Sequence, residues 1–155
     1  MSDTTATPVA SARDLRDARL AGWLARGVRE GHVDASDALR VLRHELRRRN
    51  TNKKTGIARR SEAAHAVVTT YAERGIPVPK NDSNDALHAD HVYNIDAGTL
   101  TKYTTTEDWL AELARLREVV CVTAEENYRL SEFERKGIWG EAKYEEARIS
   151  FVTIS

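Results

Sequence analysis

The residues best suited to chemistry stand together near the middle of the chain. Residues 87–92 read Leu-His-Ala-Asp-His-Val, a short apolar run that two imidazoles and a carboxylate interrupt. Packing alone gives little reason to place His91 directly after Asp90. An imidazole near its ordinary pKa accepts a proton at neutral pH, and a carboxylate is a preferred ligand of hard cations such as Mg²⁺. These side chains are therefore the first candidates for a functional site.

A second run further along the chain supplies another polar group, at the start of a predicted helix. Residues 119–123 are largely apolar and β-branched, as in a buried strand. Thr123 and Glu126 have the spacing of a capping box, which predicts a helix beginning just after Thr123. Asn127 then lies in the first turn of that helix. The predicted order is a strand with Asp-His, a connector, a second strand, and a helix with Asn near its start.

This order of elements and residues resembles the HNH (His-Me finger) nuclease motif, in which a ββα element wraps one divalent metal ion. The HNH domain of the RNA-guided CRISPR nucleases is a close comparison. Over residues 86–137 the resemblance implies that Asp90 is a metal ligand, that His91 is the general base, and that Asn127 ligates the metal directly or through water. His88 lies two residues before Asp90 and would share its face of the strand, as an auxiliary metal ligand or as a solvent-facing residue.

The activity that the resemblance implies is metal-dependent hydrolysis of DNA phosphodiester bonds. His91 would activate water, and Mg²⁺, Mn²⁺ or another divalent cation would offset charge on the phosphate as the leaving oxygen departs. The family has a middle Asn, just before the second strand, whose carbonyl orients the base. Glu118 stands at that position here, so its carboxylate would orient His91. Such a compact nuclease would suit a phage, mobile-element or restriction-like setting.

Two other functions stay open at this point. The departure at Glu118 favours a catalytically inactive nucleic-acid-binding module in which the finger is kept as a scaffold. The third possibility is a protein-interaction factor, such as an inhibitor or a toxin partner, that uses the acidic C-terminal half. Only this third function predicts no salt-dependent binding to nucleic acid. The sequence does not distinguish a DNA substrate from RNA, and it does not give the oligomeric state.

Basic residues are concentrated in one segment. The 155 residues carry 24 Lys and Arg and 24 Asp and Glu, so the formal net charge is zero. From Arg40 to Arg60, however, nine basic residues are accompanied only by Glu45, whereas residues 61–155 hold ten basic and seventeen acidic residues. This asymmetry predicts a polyanionic partner. The predicted nucleic-acid contacts are Arg47, Arg48, Lys53, Lys54, Arg59, Arg60 and Arg129.

The single cysteine and the hydropathy pattern limit the remaining classes. Cys121 has no second cysteine to pair with, so an intramolecular disulfide and a four-Cys zinc site are excluded. Its valine neighbours predict a small buried apolar residue. No apolar run approaches membrane-spanning length, and the first residues lack the regions of a signal peptide. We therefore expect a cytoplasmic protein without a membrane partner.

The pattern along the chain predicts an α+β fold with a helical N-terminal half. Residues 1–11 are small and polar and predict a disordered lead. Residues 12–80 show helical periodicity and form the predicted Arg-rich helical region. Residues 81–155 form the predicted ββα-metal finger, with an inserted helix and a short C-terminal element. Trp23, Trp109 and Trp139 are expected to be packing anchors rather than base-stacking platforms.

Overall fold

The structure, a computed structural model, describes residues 10–47, 54–80 and 83–154. It has the predicted α+β class, with helices and a small mixed sheet. Residues 1–9 of the predicted disordered lead lie outside the described residues. In chain order the elements are helix α1 (Ala12–Arg29), helix α2 (Ala35–Val41), a π-helical turn (Leu42–Leu46), a 3₁₀ turn (Lys54–Gly56), strand β1 (Arg59–Ser61), helix α3 (Glu62–Glu73), strand β2 (Leu87–His91), helix α4 (Ala97–Leu100), helix α5 (Thr106–Leu116), strand β3 (Val119–Thr123), helix α6 (Ala124–Arg135), helix α7 (Glu141–Glu146) and strand β4 (Phe151–Thr153).

The chain divides into two compact units, and each unit is built from separate segments. The first unit holds the described residues 10–47 and 95–115, and the second holds residues 54–80, 83–94 and 116–154. The second unit contains the sheet and all the residues for which catalysis or metal binding was predicted. Within the described ranges, no helix has the length and apolar character needed to cross a membrane.

Small side chains form the inward side of α1 in the first unit. Ala18, Ala21 and Ala25 are inaccessible to solvent, and their spacing places them on one side of the helix. Trp23 points elsewhere and is 65% exposed, so the prediction that it is a packing anchor is wrong. Trp109 on α5 is completely buried, which confirms that prediction for the second tryptophan.

The sheet of the second unit has the strand order β2-β3-β1-β4. The pairs β2–β3 and β1–β4 are antiparallel, and β1 runs parallel to β3 with Arg60 opposite Cys121. The register of β2 against β3 extends from Leu87 opposite Thr123 to His91 opposite Val119. Strand β1 was not predicted, because its sequence is the basic tripeptide Arg-Arg-Ser.

Helix α6 begins directly after β3, as the capping box predicts. The Thr123 side chain accepts a hydrogen bond from the Glu126 backbone, and the Glu126 carboxylate accepts one from the Thr123 backbone. These reciprocal bonds satisfy donors that a helix N-terminus otherwise leaves without partners. The second unit therefore contains an antiparallel strand pair that continues into a capped helix.

The two faces of the sheet are covered by different helices. On one face Val120 and Val122 pack with Leu130 of α6 and Tyr144 of α7. On the other face Cys121 packs with Leu87 of β2 and with residues of α3. Cys121 is buried as predicted, and burial raises the pKa of its thiol to about 11. The alternation along β3 separates the polar groups of the sheet into two environments.

Candidate functional site

Asp90 lies on β2, on the sheet face that α6 and α7 cover. Its side chain is 5% exposed. The Tyr144 hydroxyl donates a hydrogen bond to Asp90 Oδ2 at 2.5 Å, and the Lys143 ammonium lies 2.9 Å from the same oxygen. Asp90 is therefore one half of a buried ion pair between the sheet and α7.

Lys143 is completely buried, which for a lysine requires compensation by charge and hydrogen bonds. Besides Asp90, its ammonium group contacts Glu134 Oε1 at 3.0 Å and donates to the His91 carbonyl oxygen at 2.8 Å. We call Asp90, Glu134, Lys143, Tyr144 and the His91 carbonyl group the Lys143 cluster. Within it the three N–H donors of the ammonium meet three oxygen atoms.

Tyr144 serves the cluster as a hydrogen-bond donor. Burial raises the pKa of its hydroxyl far above the ordinary value, and the neighbouring Asp90 carboxylate raises it further. The hydroxyl therefore stays protonated at neutral pH. Its ring belongs to the apolar core with Val120 and Val122, so the same side chain anchors α7 on the sheet and holds Asp90.

A glycine and a tryptophan position α7 for these contacts. Gly140, at the N-terminus of α7, has φ 75° and ψ −159°, a conformation essentially restricted to glycine. Its N–H donates to the Val92 carbonyl oxygen at 2.8 Å, which joins the start of α7 to the end of β2. The Trp139 ring lies 4.5 Å from the Lys143 ammonium, and such a cation–π contact is favourable when the cation is desolvated.

Asp90 and His91 are adjacent on β2, but their side chains point to opposite faces of the sheet. Asp90 points to the face with Tyr144, and the His91 side chain therefore points to the other face, where it is buried. His88 shares the face of Asp90 by the same rule and is half-buried.

The remaining predicted site residues lie around the strand pair. Glu118 is exposed, and its carbonyl oxygen accepts a hydrogen bond from the Val92 N–H at 3.1 Å. It is thus at the same end of the strand pair as His91. Asn127 is half-buried in α6, but the partners of the Asp90 carboxylate are Lys143 and Tyr144 rather than Asn127.

The residues present do not fit a divalent ion at Asp90 in this conformation. The Lys143 ammonium already occupies the place beside Oδ2 that a cation would take, and a second positive charge there would be repelled. Among the described residues, no group of three or more His, Cys, Asp and Glu side chains is placed to hold a metal ion. The Mg²⁺ ligation that the HNH resemblance implies is therefore not supported by these side-chain positions.

A second buried polar centre joins the N-termini of α3 and α6. Glu126 Oε1 accepts hydrogen bonds from the Ser61 hydroxyl at 2.5 Å and from the Thr123 backbone at 3.0 Å. Ser61 also caps α3, because its hydroxyl accepts a hydrogen bond from the Ala64 N–H. Ser61, Thr123 and Glu126 are all buried. The carboxylate thus faces two helix N-termini, where negative charge is stabilised, and this centre is structural.

Three of the predicted nucleic-acid contacts are bound to other parts of the protein. Arg59 forms two hydrogen bonds with the Glu141 carboxylate and stacks on Phe151. Arg60 is buried and donates to the Thr55 carbonyl oxygen. Arg129 pairs with Glu125 and donates to the Ala147 carbonyl oxygen.

The other predicted contacts are less constrained or fall outside the described residues. Arg47 follows the π-helical turn and is half-buried, and Lys54 is half-buried in the 3₁₀ turn. Among the described residues Lys54 has no carboxylate partner. Arg48 and Lys53 lie outside the described residues. Lys54 is therefore the clearest remaining candidate for a phosphate contact in the second unit.

The pairing of Arg59 with Glu141 predicts a measurable pH dependence. The hydrogen bonds from Arg59 hold the pKa of Glu141 below its ordinary value of 4.5. A lowered folded-state pKa adds stability above the unfolded-state pKa, and that stability is lost as the pH falls through the folded-state value. In urea unfolding at a series of pH values from 6 downward, we expect the free energy of unfolding of wild type to exceed that of Glu141→Gln by under about 1 kcal/mol at pH 6. We expect this difference to shrink progressively as the pH falls below 4.5. A difference that does not change with pH would contradict this assignment.

The sequence analysis missed the residues that surround Asp90. Lys143 and Tyr144 lie in the segment Glu-Ala-Lys-Tyr-Glu-Glu, in which charged residues predict a solvated helix. Glu134 lies among charged residues of α6. The one available signal was that Glu134, Leu130 and Asn127 share a helical face at spacings of three and four residues. That signal did not indicate a buried lysine.

Comparison with known proteins gives no relative for this chain. No protein-family model, no curated protein and no solved structure matches it. We therefore infer its function from the fold and the side-chain contacts described above.

Proposed function

We propose that this chain is a nucleic-acid-binding protein in which the ββα element serves as a scaffold and hydrolyses no phosphodiester bond. The observation that carries this proposal is the contact between the Lys143 ammonium and the Asp90 carboxylate, at 2.9 Å in a fully buried position. The HNH resemblance implies that the Asp90 carboxylate is a metal ligand, but here this carboxylate forms an ion pair with the Lys143 ammonium. By strand alternation, the His91 side chain points to the face of β2 opposite that of Asp90.

The nucleic-acid partner is supported by the distribution of charge. The segment from Arg40 to Arg60 has nine basic residues and one acidic residue. Arg59 and Arg60 are held by the protein, but Lys54 has no carboxylate partner among the described residues. A lysine of this kind binds a phosphate without reading the base sequence. Binding is therefore expected to depend on salt and to be insensitive to sequence.

The test is a comparison of DNA affinity between matched charge reversals. Fluorescence anisotropy with a labelled duplex is measured in EDTA at several salt concentrations for wild type, Lys54→Glu and Lys136→Glu. Lys136 is exposed beyond α6, so its reversal makes the same change in net charge. We expect Lys54→Glu to weaken binding several-fold and to lower the salt slope by about one. An equal loss of DNA affinity in Lys54→Glu and Lys136→Glu, or no DNA binding by wild type, would overturn the proposal.

A second candidate is the metal-dependent HNH-type endonuclease that the sequence resembles. It is favoured by the strand pair that ends in Asp90 and His91 and continues into α6, with Asn127 near the helix start. Nicking of supercoiled plasmid with Mg²⁺, Mn²⁺ or EDTA tests it, with His91→Ala as the variant and His32→Ala as an exposed control. Metal-dependent nicking that only His91→Ala abolishes would establish this candidate. Absence of both nicking and DNA binding would leave a protein partner as the remaining function.

A further inference from the structure

The Lys143 cluster has the composition of a cation site. Its oxygen atoms come from the Asp90 carboxylate, the Glu134 carboxylate and the His91 carbonyl group, at 2.8 to 3.0 Å from the ammonium nitrogen. Carboxylate and carbonyl oxygens are the donors that hard cations take in proteins. Here a single positive charge that belongs to the chain itself already fills the centre of this oxygen cage.

The surroundings of the ammonium also favour a cation. The ring of Trp139 lies 4.5 Å from Lys143 Nζ, and an aromatic face attracts a desolvated cation. Glu134 has 27% of its side chain exposed, so the cage reaches solvent on that side. A buried lysine without such partners would be strongly disfavoured.

We propose that Lys143 is the resident cation of this ββα element: its ammonium occupies an oxygen-lined pocket formed by Asp90, Glu134 and the His91 carbonyl group, and it stands in place of a divalent ion. The element then folds without metal. The pocket binds a small ammonium or a divalent cation once the lysine side chain is removed. This inference rests on the geometry of the Lys143 cluster and does not depend on nucleic-acid binding.

Chemical rescue of a shortened side chain tests the pocket. Lys143→Ala removes the four atoms from Cγ to Nζ, and n-propylammonium supplies the same four atoms. We expect n-propylammonium or Mn²⁺ near saturation to raise the Tm of Lys143→Ala by about 5 °C. Lys143→Met, in which an unbranched apolar side chain fills the space, is expected to gain less than about 1 °C under the same conditions.

Sodium chloride at matched ionic strength is the solvent control. An equal rise in Tm with sodium chloride, or an equal rise in Lys143→Met, would overturn the proposal. The proposal is also overturned if Lys143→Ala folds and neither n-propylammonium nor Mn²⁺ raises its Tm.

A measurement on wild type tests the same pocket if Lys143→Ala does not fold. Titration with Mn²⁺, followed by the electron paramagnetic resonance signal of the free ion, counts bound metal directly. Because Lys143 fills the pocket, we expect no one-to-one site with a Kd below about 1 mM. One bound Mn²⁺ per chain that Asp90→Asn abolishes would overturn the proposal and support the nuclease candidate instead. DNA binding is measured in EDTA, so neither outcome of the Mn²⁺ titration changes the test of nucleic-acid binding.

Discussion

Replacing Lys143 with Met is expected to lower the free energy of unfolding by about 3–5 kcal/mol, because it leaves the buried Asp90 carboxylate without its counter-charge. Asp90 is 5% exposed and cannot recover solvation without disturbing the packing of α7. The Met side chain retains most of the lysine's apolar length, so lost packing contributes little. Urea unfolding followed by far-ultraviolet circular dichroism measures the effect.

A double variant separates the ion pair from simple burial. Adding Asp90→Asn to Lys143→Met removes both charges. Replacing a buried ion pair with uncharged groups of similar volume often changes the free energy of unfolding little. We therefore expect the double variant to recover most of the lost free energy of unfolding. Lys136→Met, at an exposed position, should change it by less than about 0.5 kcal/mol. The ion-pair explanation fails if the double variant is as unstable as Lys143→Met.

Replacing Glu126 with Ala is expected to cost about 2–4 kcal/mol, because one buried carboxylate oxygen accepts hydrogen bonds from both Ser61 and Thr123. The substitution removes the N3 half of the capping box of α6. It also leaves the Thr123 N–H buried without an acceptor. The free energy of unfolding in urea is again the measurement.

Two variants serve as controls for this second effect. Glu126→Gln keeps a carbonyl oxygen that can accept the same hydrogen bonds, so its cost should be about half that of Glu126→Ala. Glu125→Ala alters the neighbouring exposed residue, which pairs with Arg129 on the surface, and should cost less than about 1 kcal/mol. If Glu126→Ala is no more destabilising than Glu125→Ala, the shared carboxylate does not hold the two helices.

The sequence by itself determined the elements whose signals are local. The structure has the helices α1 and α3 within residues 12–80, where the sequence predicts helical periodicity, and the Ser61 side chain caps α3. The strand at residues 119–123 and the capping box after it are also confirmed. A cap, a β-branched run and a period of 3.6 residues act between near neighbours, so they can be read without the fold.

Residues with several possible partners could not be assigned in this way. Arg59 and Arg60 indicated a nucleic-acid surface by their charge. The structure places them in β1, where Arg59 pairs with Glu141 and Arg60 bonds to the Thr55 carbonyl oxygen. Glu141 is 82 residues away from Arg59 in the chain. Composition shows that a charge is present, but only the fold shows which carboxylate neutralises it.

The environment of Asp90 was decided by tertiary structure alone. The sequence placed Asp90 on a strand beside His91, and the structure has them there. Lys143 and Tyr144 reach Asp90 because Gly140 turns the chain and Tyr144 anchors α7 in the core of the sheet. A lysine between acidic residues on a short helix is ordinarily solvated. This one is buried because the fold supplies three oxygen atoms and an aromatic ring around its ammonium.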